Sequence, residues 1–129
     1  MVKGRYRRRL GNAAGLRKFG VNLTRLEPGS ALAHRHWHEE QDEFVYVLDG
    51  EVVLITDGGE QVLRAGQAAG FRAGVADGHH LVNRSTWDAL YLEIGDRSPG
   101  DIYHYPDDDL EGHDIGPQPV FRHKDGTPW

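Results

Sequence analysis

The stretch from His36 to Gly50, HWHEEQDEFVYVLDG, constrains the fold more than any other part of the chain. His36 and His38 stand two residues apart. In a strand that spacing points both imidazoles to one face and sends Trp37 to the other. Glu43 then opens the next strand, across a polar corner at 39–42. On that strand Glu43, Val45 and Val47 share one face, and Phe44, Tyr46 and Leu48 share the other. A carboxylate leading an otherwise apolar face is costly unless a cation or metal pairs with it. A third histidine, His79, lies in GHHLVN, beyond a second glycine-punctuated strand pair. Together these residues fit a three-histidine, one-glutamate site for a divalent metal inside a small β-barrel. Such a set leaves one or two coordination positions open for water, oxygen or substrate.

The rest of the pattern is also β. Residues 21–26 alternate and end at Pro28-Gly29, and 31–38 read as the next strand. The run 44–48 is apolar throughout, as expected of a strand covered on both faces. Segments 51–56 and 60–63 flank Asp57-Gly58-Gly59, a hairpin signal. Short strands follow at 67–71, 79–83 and 89–94, separated by a Gly-rich loop at 73–78 and a turn at 84–88. The 17 glycines, spread evenly with no helical period, suit many short strands joined by tight turns. At 129 residues the chain fits one domain. Three stretches are expected: a basic arm at 1–18 with little pattern, a barrel at 19–96, and a Pro/Asp-rich surface tail at 97–129 packed on the barrel. The tail is read as carrying one short strand, at 119–122, and one turn within 107–111.

Charge is unevenly placed. Residues 1–18 hold Lys3, Arg5, Arg7, Arg8, Arg9, Arg17 and Lys18 and no acid, which is +7; against a net charge of −5 the remainder is −12. No recognition helix or aromatic stacking platform accompanies the arm, so it is read as lying on an acidic body or on a partner subunit rather than on nucleic acid. No apolar run approaches the roughly 20 residues of a membrane span, and Met1 is followed by a polar, Arg-rich stretch rather than a secretory signal. There is no cysteine. A cytoplasmic location is the expectation, and any metal must be held by histidine and carboxylate, which suit Mn, Fe, Co, Ni, Cu or Zn.

These residues resemble the two sequence motifs of the cupin superfamily. The first runs from Gly29 to His36-Trp37-His38, then four residues to Glu43 and six to Gly50. The competing frame, His34-x-His36 with Glu40, would need glycine where Val47 stands. The second motif is Gly66, five residues, Arg72-Ala73-Gly74, four residues, His79, three residues, Asn83. It departs from the family pattern twice. Arg72 replaces a turn-shaping proline, and Asp77-Gly78 lengthens the gap before the histidine. The spacing to Asn83 favours His79 over His80 as the ligand. The resemblance covers about Asn22 to Ile94 and is closest to small single-domain cupins, mostly bacterial. It implies an all-β fold, the cupin double-stranded β-helix or jelly-roll barrel, and one divalent transition metal on His36, His38, Glu43 and His79.

The resemblance also implies a metal-dependent enzyme of dioxygenase, isomerase, decarboxylase or lyase type, acting on a small oxygen-rich molecule. The alternative is a non-catalytic module that binds a sugar or carboxylate. Tyr91 and Glu93 share a face of a strand expected beside the site, and are the candidates for proton transfer or substrate binding. His34 reads as an exposed neighbour and His80 as facing away. His104, His113 and His123 are expected to be solvent-exposed in the tail. Trp37, Phe44 and Tyr46 should pack core or a subunit interface. Because Phe44, Tyr46 and Leu48 need a cover, and cupins pair strands across a two-fold axis, a homodimer is expected.

Overall fold

The computed structural model describes residues 4–31, 34–115 and 118–129. In chain order its elements are β1 (Arg5–Arg9), α1 (Leu10–Ala13), β2 (Phe19–Leu26), β3 (Trp37–His38), β4 (Glu43–Asp49), β5 (Glu51–Thr56), β6 (Gly59–Arg64), β7 (Ala68–Phe71), β8 (His80–Val82), β9 (Ala89–Asp96), β10 (Ile102–Tyr105), β11 (Leu110–His113) and β12 (Val120–Arg122). The sheets run β1-β2-β9-β4-β7, β12-β11-β10-β3 and β6-β5-β8. The architecture is the all-β jelly roll.

Alternation along β4 explains how this sheet finds its core. Val45 and Val47 are buried, while Phe44, Tyr46 and Leu48 on the opposite face stay 37–42% exposed. The buried faces of the first and third sheets meet in one cluster. Leu26, Val45, Val47, Ala89 and Tyr91 come from one side, and Val52, Leu54, Leu63 and Leu81 from the other. The motif glycine Gly50 makes the sharp turn from β4 to β5 at φ +74°, and a Cβ there would stand 2.6 Å from the Asp88 carbonyl oxygen. That is a position only glycine fills without strain. The motif asparagine Asn83 is fully buried and works as a clamp. Its amide donates to the carbonyls of Leu26 and Trp87, and its Oδ1 accepts from Ser85. These bonds satisfy a polar group that would otherwise cost free energy in the core.

The structure differs from the sequence expectation at both ends. The stretch before Phe19 is not patternless: β1 pairs antiparallel with β2 along its whole length, Arg5 opposite Leu26 and Arg9 opposite Asn22, and a single helical turn follows. An edge strand needs only backbone partners, so an arginine run can supply one. The stretch after Asp96 carries three strands. β10 and β11 form a hairpin around the turn at 106–109, β12 follows, and β10 also pairs with β3. The strand expected at 31–38 is shorter in its regular part. Trp37–His38 is a strand, and Ala31 and His36 make single bridges to Val82 and His79. Residues 32 and 33 lie outside the described residues. Arg35 is drawn from the ladder by its side chain, which bonds Asp57, Asp107 and the Gly78 carbonyl.

Candidate metal centre

Three separate pairings bring the sequence-predicted ligands together. His36 bridges to His79 by reciprocal backbone hydrogen bonds of 3.1 and 2.9 Å. His38 is held by β10, through the pair His38–Tyr103. Glu43 starts β4, between Phe71 of β7 and Gly95 of β9. The side chains then converge. Nε2 of His36, His38 and His79 lie 3.4, 2.8 and 3.2 Å from the single oxygen Glu43 Oε1. Ligating atoms of His36, His38 and Glu43 all lie within 4.8 Å of one another.

Glu43 Oε1 is buried, and none of these three contacts has hydrogen-bond geometry. Three donor atoms grouped in this way, with His79 Nε2 near the same carboxylate oxygen and that oxygen without a hydrogen-bond partner among the described residues, suit a divalent first-row ion, which imidazole and carboxylate can hold. The residues present therefore fit such an ion. Burial alone would raise the Glu43 carboxyl, but His36, His38 and His79 outweigh it and hold Glu43 far below the usual carboxylate range. His79 is pushed down by burial, with Glu43 opposing and the neighbouring imidazoles adding to the decrease. A neutral imidazole is the form that can ligate.

His36 and His38 are also oriented from behind through Nδ1, whereas His79 Nδ1 is buried without a hydrogen-bond partner among the described residues. His36 Nδ1 lies 2.9 Å from the His34 carbonyl oxygen, which accepts its proton and leaves Nε2 free. The His79 ring stacks on Phe71, centroids 3.6 Å apart and planes at 5°. His38 Nδ1 lies 2.5 Å from Asp101 Oδ2, while Asp101 Oδ1 accepts the Glu40 backbone N–H at 2.8 Å. Burial depresses His38, but Glu43 and Asp101 outweigh it and raise it to about 8.

Asp101 is completely buried, and sequence reasoning placed it in a surface tail. A signal was available: Asp101, Tyr103 and Tyr105 alternate along DIYHY. Tyr103 meets His38 at a ring-centroid distance of 4.9 Å, and Tyr105 meets His36 at 5.9 Å. The other tail histidines are also engaged rather than bathed in solvent. His104 stacks on Trp37 at 4.2 Å and lies near Glu39 and Glu111; His113 lies near Glu111; His123 stacks on Trp129 and lies near Asp109. His34 is 70% exposed and lies 3.2 Å from Asp108.

The two proton-transfer candidates part company. Both occupy β9, Tyr91 opposite Val47 and Glu93 opposite Val45. The Tyr91 hydroxyl is fully buried in the core, has no hydrogen-bond partner among the described residues, and is pushed by burial far above its ordinary value. Glu93 accepts from the Thr24 hydroxyl and pairs with Arg7 of β1 at 3.2 Å. It lines a cavity of about 250 Å³ together with Glu43, His79 and Arg7. A second cavity, of about 490 Å³, also opens on Glu43 and His79, and is walled by His38, Gln61, Phe71 and Arg72. A larger groove of about 760 Å³, beside Gly50, Arg64 and Trp87, contains none of these residues. The lengthened gap before His79 is tied down from outside: Asp77 Oδ1 accepts the Asp57 N–H, and a Cβ on Gly78 would stand 2.7 Å from Pro106.

An all-β jelly roll whose interior gathers three histidines and a glutamate defines a small barrel with a candidate metal centre. The chain belongs to the cupin family: the Cupin domain model matches residues 22–95. Among solved structures it is similar to a sugar phosphate isomerase of the cupin superfamily from Silicibacter pomeroyi, at 45% identity and TM-score 0.94, covering 98% of this chain and 80% of that one. It is also similar to a putative sugar phosphate isomerase from Acidithiobacillus ferrooxidans, at 28% identity and TM-score 0.88, over 97% of this chain and 80% of that one. A polyketide cyclase from Streptomyces resistomycificus shares the fold at 21% identity and TM-score 0.64, over 74% of this chain and 66% of that one. No curated protein matches the sequence.

Proposed function

We propose that this cupin is a metal-dependent isomerase acting on a small sugar phosphate. The observation that carries the reading is the convergence of His36, His38, His79 and Glu43 on one point that opens into a cavity of about 490 Å³. The reaction class is supported by the two similar structures described as sugar phosphate isomerases. A divalent ion on the four ligands would act as a Lewis acid toward a substrate carbonyl.

Aldose–ketose isomerisation moves one proton from C2 to C1 of the sugar, and from O2 to O1. It needs a carboxylate or similar base that can take a proton and return it. Glu93 is the residue for this role. It borders the smaller cavity of about 250 Å³, which shares Glu43, Phe71 and His79 with the larger one, and Thr24 and Arg7 fix its position. Tyr91 keeps its proton in the core and serves packing in this reading. Phe71, flat against His79, keeps water from one face of the site.

Purified protein loaded with Mn, Fe, Co, Ni, Cu or Zn in turn should interconvert at least one aldose phosphate and its ketose, followed by NMR. Metal content would be read by ICP-MS. Metal-loaded protein that leaves a full panel of triose to heptose phosphates unchanged would sink the isomerase reading; saturable binding without turnover would favour a binding module.

The same reading includes a homodimer in the cytoplasm. Phe44, Tyr46 and Leu48 remain exposed and lie beside Ile94, Leu92 and Leu90 of β9, an apolar sheet face that this chain leaves open. Light scattering at micromolar concentration should give twice the chain mass, and a monomer would refute it.

A further inference from the structure

We propose that Arg72 reads the anionic group of the substrate, a phosphate monoester, at the mouth of the metal-site cavity. The inference rests on the isomerase reading for its sugar-phosphate substrate, but not for the site itself. Arg72 follows Phe71, the residue stacked on His79 and paired across the sheet with Glu43. It stands where the family motif carries a proline. A turn does not require arginine there, so the substitution adds a cation to the cavity without adding a structural element.

The guanidinium is uncommitted. Among the described residues it makes no hydrogen bond or ion pair, whereas Arg35, Arg64 and Arg84 are paired with Asp107, Glu51 and Glu60. Arg72 is exposed, yet it borders the same cavity of about 490 Å³ that His38, Glu43 and His79 line. Thr56 and Gln61 line the same cavity, and their side chains also make no hydrogen bond among the described residues. Asp77, the other acid on this wall, accepts the Asp57 N–H.

The arrangement reads as a bipolar slot. Sugar oxygens meet the metal end, the amide and hydroxyl of Gln61 and Thr56 meet the middle, and a dianion meets the guanidinium. A planar fork of N–H donors matches phosphate oxygens two at a time, which a lysine ammonium does not.

The probes are D-glucose 6-phosphate, D-glucuronate and D-glucose, titrated calorimetrically into metal-loaded full-length protein. Wild type should bind the phosphate ester at least tenfold more tightly than glucose, with glucuronate weaker than the ester. Arg72→Ala and Arg72→Gln should each lose at least tenfold in affinity for the ester and change little toward glucose, with ICP-MS metal content and melting temperature as in wild type. Arg72→Lys should recover part of the loss, and Arg84→Ala should behave as wild type. Unchanged ester affinity in both Arg72→Ala and Arg72→Gln overturns the proposal, as does a wild type that prefers glucuronate or shows no preference. The two readings separate cleanly. Arg72-dependent ester binding without turnover sinks the isomerase and leaves this site standing. Isomerase activity with unaltered kinetics in Arg72→Ala does the reverse.

Discussion

Replacing Asp101 is the sharpest test of the metal centre, because this residue lines neither cavity at the site and reaches the ligands through His38. Its two oxygens hold His38 Nδ1 at 2.5 Å and the Glu40 N–H at 2.8 Å. In Asp101→Asn only one side-chain atom remains an acceptor. If it stays with Glu40, the new NH₂ faces His38 Nδ1 and forces the imidazole proton onto Nε2, the atom aimed at Glu43. The ligating lone pair is then lost. Asp101→Ala removes both bonds, leaving the ring unoriented and the Glu40 N–H without its carboxylate partner. Loss of a carboxylate behind a ligating histidine costs about 10–100-fold in metal affinity, or about 1.4–2.7 kcal/mol. Loss of the hydrogen bond to the Glu40 N–H adds about 0.5–1.5 kcal/mol of destabilisation in the alanine variant. Both variants should therefore weaken metal binding, and Asp101→Ala should also lower the melting temperature of metal-free protein. The assay is competition against a chromogenic chelator, with circular dichroism to confirm the fold. Folded Asp101→Asn with wild-type metal affinity would refute the reasoning.

Further outcomes follow from the same geometry. His79→Ala should lose at least about tenfold in metal affinity and blunt the fall in melting temperature caused by chelator, whereas His80→Ala, on the opposite strand face, should keep both; the reverse result would move the ligand frame to His80. In metal-free protein His38 is raised to about 8 from an ordinary 6.5, so its contribution, about 2 kcal/mol, is complete below pH 6.5 and disappears as pH rises through 8. His79, pushed below its ordinary value, is half protonated in the unfolded chain at pH 6.5 but neutral in the folded one, so raising the pH relieves at most about 0.4 kcal/mol there and offsets only a small part of the loss. Chelated protein should thus melt lower at pH 8.5 than at pH 6.5 while metal affinity rises; a melting temperature flat or rising over that range argues against the raised His38. Gly50→Ala places a Cβ 2.6 Å from the Asp88 oxygen at φ +74°, so it should cost more than the roughly 1–2 kcal/mol of the left-handed backbone alone, and an unchanged melting temperature would contradict this turn.

Strand periodicity made much of the barrel legible. His36 and His38 share a face because they are two apart, and Val45 and Val47 sink into the core beneath Glu43 for the same reason. The glycines at the β4–β5 and β5–β6 turns marked where strands end, and the boundaries of β5, β6 and β9 fall within a residue or two of their sequence signals. These are local properties, encoded within about ten residues. The partners that complete the site are not local. Asp101 reaches His38 across 63 residues, and Arg7 reaches Glu93 across 86. Both lie in stretches whose composition, arginine-rich or Pro- and Asp-rich, describes a solvated chain.

Edge pairing gave those stretches their structure. β1 bonds the free edge of β2, and β10 bonds β3; backbone groups form these ladders with little regard to side-chain type. Once paired, alternation turns Asp101 inward to a half-buried histidine and Arg7 toward a half-buried glutamate. The sequence by itself determined which residues can ligate and which face of each strand they occupy. Only the tertiary structure decided which distant carboxylate stands behind His38, that Glu93 rather than Tyr91 borders a cavity, and that β4 keeps an apolar face open. A side chain's neighbours across a sheet depend on which edges meet, and no short-range pattern carries that information.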